Sequence, residues 1–442
     1  MFFVVAAVVL LLSIFLGARI GGLGIAYAAG IGLFIFTMVM GIAPGNIPVD
    51  VVFIIISVIG MIAVLELSGG LDYLVYLAEK LLRANPKFIN YLAPLVTFFM
   101  TVFAGTGHTA FSLMPVIVEV AKNQGIRPSR PLTLAAVMSQ IGIIASPISA
   151  AVVAFVGFLA GMHISLVTLL SIMIPSAVAA SLIASFIMSF LPQKLETDKN
   201  YQELLKSGKL TEVKAKQKTR ADIATKAPLA VLIFLITVLA VAVYGLFPEL
   251  KPVYTRADGS TFVISTAWLI MILMLLGAYV MVMLTKVDVT KIANQSTFKA
   301  GMQAALCVLG VAWLGDTLVS HYSSDIKAIA GDFLHNNGWA FAVVLFFASS
   351  LLYSQAATTT ALMLPLGIAL GLSPNIMIGS FAAVCGLFIL PTYPTVIAAV
   401  QMDYTGTTRF GKYVFDHSFI IPGTLLLFLT CIIAYLLSSV VL

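Results

Sequence analysis

Two apolar stretches are each broken in the middle, and the reading of those breaks decides the fold. Residues 88–121 are interrupted at Gly105-Thr106-Gly107-His108-Thr109, and residues 338–372 at Ser354-Gln355, with Thr358-Thr359-Thr360 close behind. A helix needs roughly 20 apolar residues to cross the hydrocarbon, and neither break leaves room for two such spans. Each stretch therefore reads as two short arms joined by a polar tip, a hairpin that enters the membrane and returns. Irregular backbone at that depth is tolerated only when it packs in protein or lines a wet cavity.

The surrounding sequence requires lipid. Of 442 residues, 61% are hydrophobic and 10% charged, where a soluble chain has about 45–50% and about 25%. A mean hydropathy of +1.08 cannot be hidden in one soluble core, which excludes a soluble enzyme, a nucleic-acid reader and a disordered tail. Ten full crossings are predicted, at about 2–18, 21–41, 49–67, 132–161, 166–191, 228–247, 265–285, 300–320, 376–401 and 417–441. Residues 1–18 carry no charge, so the first span reads as an uncleaved helix, because a signal peptide has a basic start and a cleavage site. Cys307, Cys385 and Cys431 have no CxxC spacing, and the five histidines form no HxxxH. No disulfide framework, metal site or cofactor is expected.

Basic residues test the count. With the N-terminus outside and both broken stretches treated as hairpins, 21 of the 24 Lys and Arg fall on one side, leaving Lys251, Arg256 and Lys327 on the other. The richer side is the cytoplasm, which puts both termini in the periplasm. Making either hairpin alone a full crossing sends later clusters to the wrong side.

The expected fold is an all-α polytopic membrane protein of two inverted repeats, 1–192 and 228–442, with five crossings and one hairpin each. They are joined by a solvated cytoplasmic linker, 193–227. The hairpin at 88–121 opens from the cytoplasm and that at 338–372 from the periplasm. Each repeat has three crossings, an amphipathic segment, a hairpin, an interrupted crossing and a last crossing. The amphipathic segments are Gly70–Arg83, with Asp72, Glu79 and Arg83 off the apolar face, and Ser324–His335. Inverted repeats with broken helices are the mark of a secondary transporter, whose site lies near the midplane.

Four polar breaks form the candidate substrate site: Gly105, Thr106, Gly107, His108 and Thr109; Ser146, Pro147 and Ser149; Ser354, Gln355, Thr358 and Thr359; and Thr392, Tyr393, Pro394 and Thr395. Broken helices leave backbone groups unpaired, and their N-terminal ends suit a carboxylate. Hydroxyls add hydrogen bonds, although Ser and Thr also glue membrane helices together and prolines also merely kink them. No Lys or Arg lies deep in a span, so an anion would be held by dipoles and hydroxyls. Glu66 and Asp316 lie towards span ends, where a structural role is favoured over a functional one.

The segments Gly69-Gly-Leu-Asp72, Phe103-Ala-Gly-Thr-Gly107, Ala145-Ser-Pro-Ile-Ser-Ala150, Ser354-Gln-Ala-Ala357, Leu390-Pro-Thr-Tyr-Pro394 and Thr405-Gly-Thr-Thr408 resemble the anaerobic C4-dicarboxylate transporters of the Dcu family from end to end. Val311-Ala-Trp-Leu-Gly-Asp316 and Pro394-Thr-Val-Ile-Ala398 resemble the DcuA-type branch, and Val396 stands where the DcuB branch typically carries an Asp. The resemblance implies exchange, uptake or efflux of fumarate, succinate, malate and aspartate across a bacterial inner membrane, in support of anaerobic respiration. The wider ion-transporter superfamily implies a homodimer working as an elevator, and some of its members couple to sodium. Alternatives are a carrier of another small carboxylate, a sodium-coupled symporter, or a receptor using 193–227. An intramembrane enzyme would need a nucleophile–base pair or metal ligands at depth, and the sequence offers neither.

Overall fold

The computed structural model describes residues 2–20, 23–159, 164–192, 194–208, 210, 219–326, 337–352, 355–359, 363–390, 393–411 and 416–442. Its helices are α1 (Phe2–Ile20), α2 (Gly24–Phe34), α3 (Val49–Leu67), α4 (Gly70–Ala84), α5 (Ile89–Ala104), α6 (Ala110–Asn123), α7 (Ser129–Ile144), α8 (Ala150–Phe158), α9 (Leu166–Ser189) and α10 (Lys199–Lys206). They continue as α11 (Ala227–Leu246), α12 (Thr266–Thr285), α13 (Ser296–Ile326), α14 (Gly338–Leu352), α15 (Gln355–Thr358), α16 (Leu364–Ala369), α17 (Pro374–Ser380), α18 (Pro394–Met402) and α19 (Ile420–Val441). Among the described residues, seven helices are long and apolar enough to cross a membrane. Six fall on expected spans; the seventh, Pro86–Ala104, runs through the first part of the broken stretch 88–121, where a short arm is expected and the helix is instead of span length. Within the span expected at 132–161 the helices Ser129–Ile144 and Ala150–Phe158 are separate, and within that expected at 376–401 the described helices are Pro374–Ser380, the 3-10 helix Phe381–Phe388 and Pro394–Met402.

One departure from an all-helical chain is an exposed antiparallel hairpin, β1 (Val253–Thr255) with β2 (Thr261–Val263), pairing Val253 with Val263. Alternating β-formers flank Asp258-Gly259, and Gly259 takes the positive φ of 81° that the turn demands.

The chain forms two compact units. The first comprises residues 1–74, 147–171 and 221–321, and the second 75–146, 172–220 and 322–442. Both draw on both halves of the sequence. In the first unit α1 packs on α2, α3 on α8 and α12, and α11 on α12. Small residues bring backbones close: a Cβ on Gly310 would stand 2.8 Å from the Ala26 carbonyl, drawing α13 onto α2. Helix ends are fastened by carboxylates. Glu66, near the end of α3, accepts from the Ser296 and Thr297 amides and both hydroxyls at the start of α13. Asp316 of α13 accepts from the Asn46 amide at 2.6 Å, while Trp313 Nε1 donates to the Gly45 carbonyl. Both carboxylates thus have the structural role that their positions suggest.

In the second unit α5 lies along α7, with a Cβ on Gly142 only 2.9 Å from the Phe98 carbonyl and the Thr97 hydroxyl donating to the Ala135 carbonyl at 3.0 Å. A 3-10 helix, Phe381–Phe388, packs against α7, α14 and α19. The amphipathic helix α4 departs from expectation at one position: Glu79, read as lying off the apolar face, is buried. Arg83 one turn on explains it. Its guanidinium is bidentate to Glu119 at 2.8 and 3.1 Å, and its pKa is raised by that pairing and further by the charge of Glu79. The counterpart expected at Ser324–His335 lies mostly outside the described residues.

The linker 193–227 also holds more structure than a plain spacer. A backbone bridge joins Ile126 to Lys194, the Leu195 amide donates to Gly125, and Asp198 caps α10 and pairs with Arg127 at 3.5 Å.

Candidate functional site

The residue that joins several of the broken helices of the second unit is one that the sequence reading passed over. Gln140 lies on α7, one turn before the helix is broken, and it is almost fully buried. Its Nε2 donates to Thr395 Oγ1 at 3.0 Å and to Ser139 Oγ at 3.1 Å. Its Oε1 accepts from Gln355 Nε2 at 2.9 Å, and its backbone carbonyl accepts from Cys385 Sγ at 3.3 Å. The carboxamide therefore ties α7 to the short α15 and to the first turn of α18, and the backbone carbonyl of the same residue ties it to the 3-10 helix.

The tip between α5 and α6 comes to the same point. Helix α5 stops because Gly105 turns left-handed, at φ 69°, which closes the last turn onto the Thr101 carbonyl. Thr106 is extended, its hydroxyl accepting from the His108 amide and its carbonyl from the Thr109 hydroxyl. A Cβ on Gly107 would stand 2.5 Å from Gln140 Nε2, so glycine alone lets the tip approach the carboxamide. His108 is exposed beside Phe111, their ring centroids 5.4 Å apart.

Of the remaining candidates, Thr358 and Thr359 are buried, the latter donating to the Gln355 carbonyl. Tyr393 is the N-cap of α18, Pro394 its first residue and Thr395 is buried. Ser146 is buried and donates to the Val102 carbonyl at 2.7 Å, holding the end of α7 to α5. Between Ser146 and Pro147 the chain leaves the second unit. Pro147 and Ser149 belong to the first, where Ser149 accepts from the Val152 amide as the N-cap of α8. Ser354 and Thr392 lie outside the described residues.

The broken helices thus meet at neutral groups: two carboxamides, hydroxyls, a thiol, and the N-terminal ends of α6 and α18. Such a set suits an anion that must leave again. Among the described residues no group of histidine, cysteine, aspartate or glutamate could hold a metal ion. A glutamine in an otherwise apolar run, six residues before Ser146-Pro147, was the available signal for Gln140.

Broken helices around a buried, uncharged polar centre within a multi-pass membrane protein define a membrane transporter of small solutes, and comparison with known sequences gives the class. The profile of the anaerobic C4-dicarboxylate membrane transporters, DcuA and DcuB, matches residues 1–442, and the chain belongs to that family. It is 49% identical over 443 residues to the C4-dicarboxylate transporter DcuA of Escherichia coli K12, covering 99% of each chain. To that of Wolinella succinogenes it is 48% identical over 442 residues, covering 98% of each. The fold is similar to that of the Alcanivorax borkumensis YdaH transporter, with a TM-score of 0.57 at 15% identity over 99% of this chain and 97% of that one.

Proposed function

We propose that this protein exchanges C4-dicarboxylates, fumarate, succinate, malate and aspartate among them, across a bacterial inner membrane by alternating access. The Gln140 cluster carries the reading. It joins the tip at Gly105–Thr109 to Gln355 and Thr395 in one place, and it offers a dianion hydroxyls, carboxamide N–H groups and helix N-termini without a fixed countercharge. Ser146, Thr358, Thr359 and Tyr393 complete the site, with Ser354 and Thr392 as sequence-based members.

Exchange follows from the neutrality of the site. An empty polar cavity crossing a dry barrier leaves donors unsatisfied, at several kcal/mol. A bound dicarboxylate pairs them, so the loaded carrier moves faster than the empty one. That the Gln140 cluster lies wholly in the second unit supports an elevator-type movement, in which a substrate-carrying body travels as one piece, within a homodimer. Ten crossings in two inverted repeats, 1–192 and 228–442, with hairpins at 88–121 and 338–372 and both termini periplasmic, remain the topology that the 21 to 3 charge split supports. No cofactor is required, and sodium coupling is the alternative that a gradient tests.

The test is counterflow in proteoliposomes. External fumarate is expected to accelerate efflux of preloaded labelled succinate well above efflux into substrate-free buffer, with no dependence on a sodium gradient. Equal rates in both buffers would make the protein a uniporter or channel. Single cysteines at Asn200 and Gly259 are expected to label only from the cytoplasm and only from the periplasm; reversal would invert the topology.

A further inference from the structure

A second polar cleft, of about 200 Å³, opens in the second unit where the first residues of α7 and α19 come together. Its lining residues include Arg127, Arg130, Arg409 and His417, against one acidic residue, Asp198. Arg130 lies in the first turn of α7, ten residues before Gln140, so the cleft lies about 15 Å along that helix from the candidate transport site. It lies on the face that the charge distribution assigns to the cytoplasm.

Two of the arginines are committed to the protein only in part. Arg127 donates to the Lys194 carbonyl and the Thr197 hydroxyl and meets Asp198 at 3.5 Å. Arg130 donates to the Pro192 carbonyl at 3.3 and 3.4 Å. The guanidinium of Arg409 makes no hydrogen bond or ion pair among the described residues, and the residue is exposed. Three positive charges against one negative leave the cleft in need of an anion. Both helices also direct their positive N-terminal ends at it. A phosphate's oxygens match the planar fork of arginine.

One rim of the cleft is apolar. Ile421 is 65% exposed, and below it Phe428, Ile432 and Tyr435 continue an exposed face along α19 at helical spacing. A basic pocket at the membrane surface with an apolar stripe running from it fits a headgroup above its acyl chains.

We propose that this cleft binds the phosphate of an anionic phospholipid of the cytoplasmic leaflet, with Arg130 and Arg409 on the phosphate and the acyl chains along Ile421 and Phe428 of α19. Desolvation, and then the charge of Arg127, lower the pKa of Arg130, with Asp198 opposing them. A bound headgroup would link three turns, around Arg127, Lys194 and Arg409, that close one end of the second unit.

The experiment is lipid binding to the purified full chain in detergent, followed by native mass spectrometry and thermal unfolding. Phosphatidylglycerol is expected to be retained and to raise the unfolding temperature, while phosphatidylcholine of the same chain length is not. Arg409→Gln, which removes a guanidinium that makes no hydrogen bond or ion pair among the described residues, is expected to weaken phosphatidylglycerol binding about tenfold, the scale of one hydrogen bond to a charged group. Arg130→Gln should act in the same direction. Removing a charge elsewhere, by Arg19→Gln, should leave retention unchanged. Equal loss from Arg19→Gln and Arg409→Gln, or none from either arginine of the cleft, would overturn the site. Stabilisation by inorganic phosphate to the same extent as by phosphatidylglycerol would overturn its assignment to lipid.

Discussion

The joint of α3 with α13 in the first unit and the joint of α7 with α15 and α18 in the second are both polar knots in an apolar protein, yet they are built differently. At the first, the Glu66 carboxylate takes two backbone amides and two hydroxyls at the start of a 31-residue helix. Every partner comes from the protein and the charge sits at a helix N-terminus, where it is stabilising. At the second, Gln140 is neutral, lies within a membrane segment, and joins pieces of helix that are only four and nine residues long. A knot closed by charge fastens a scaffold. The one made of neutral donors beside broken helices is the proposed substrate site, where its groups would exchange partners with a dianion.

That contrast is most directly broken at Gln140. Gln140→Leu removes the partner of both Gln355 and Thr395, and orphaning buried polar groups costs about 1–3 kcal/mol each. Apparent affinity for succinate in counterflow is expected to fall by at least about 30-fold, from roughly 2 kcal/mol. A variant that exchanges succinate with normal affinity would remove Gln140 from the site.

Glu66→Ala probes the other side of the comparison. Loss of a cap and its charge is expected to lower stability by about 2 kcal/mol, read as a lower unfolding temperature in detergent. Succinate affinity of the folded fraction should stay unchanged. A fall in affinity with unchanged stability would make Glu66 part of transport.

A smaller change sharpens the geometry of the second knot. In Gly107→Ala the new methyl would meet Gln140 Nε2 at 2.5 Å, and the flexible amide must move aside. A loss of about 1 kcal/mol, or about fivefold in apparent affinity, is expected, with little change in unfolding temperature. The smallest effect is expected at Arg83→Gln, which breaks a partly exposed pair with Glu119. The change in stability should be within about 1 kcal/mol and should shrink as salt is raised.

Much of the helical architecture could be read before any coordinates. The span expected at 49–67 is Val49–Leu67, and that at 417–441 is Ile420–Val441, because uninterrupted apolar runs between polar flanks leave a chain in lipid no other hydrogen-bonded choice. The breaks were equally legible, since Gly105 closes α5 in a left-handed turn and Pro394 opens α18. Glu79 was misread because periodicity along one helix cannot see Arg83 paired with Glu119 of α6. Gln140 went unnoticed because a single glutamine has no pattern until its partner is known, and that partner, Gln355, is 215 residues away.

The sequence by itself determined that this is a membrane protein, roughly where most of its long apolar helices run, and that polar groups gather at the interruptions between them. Those properties are local: hydropathy, the absence of an amide on proline, the left-handed freedom of glycine. Only the tertiary structure decided which interruptions meet. It drew the tip at Gly107, Gln355 and Thr395 onto one carboxamide, and left Ser149 capping a helix in the other unit. Contacts between residues hundreds of positions apart depend on how whole helices pack, and packing follows from small residues such as Gly142 that let two backbones approach, not from the residues that the approach then brings together.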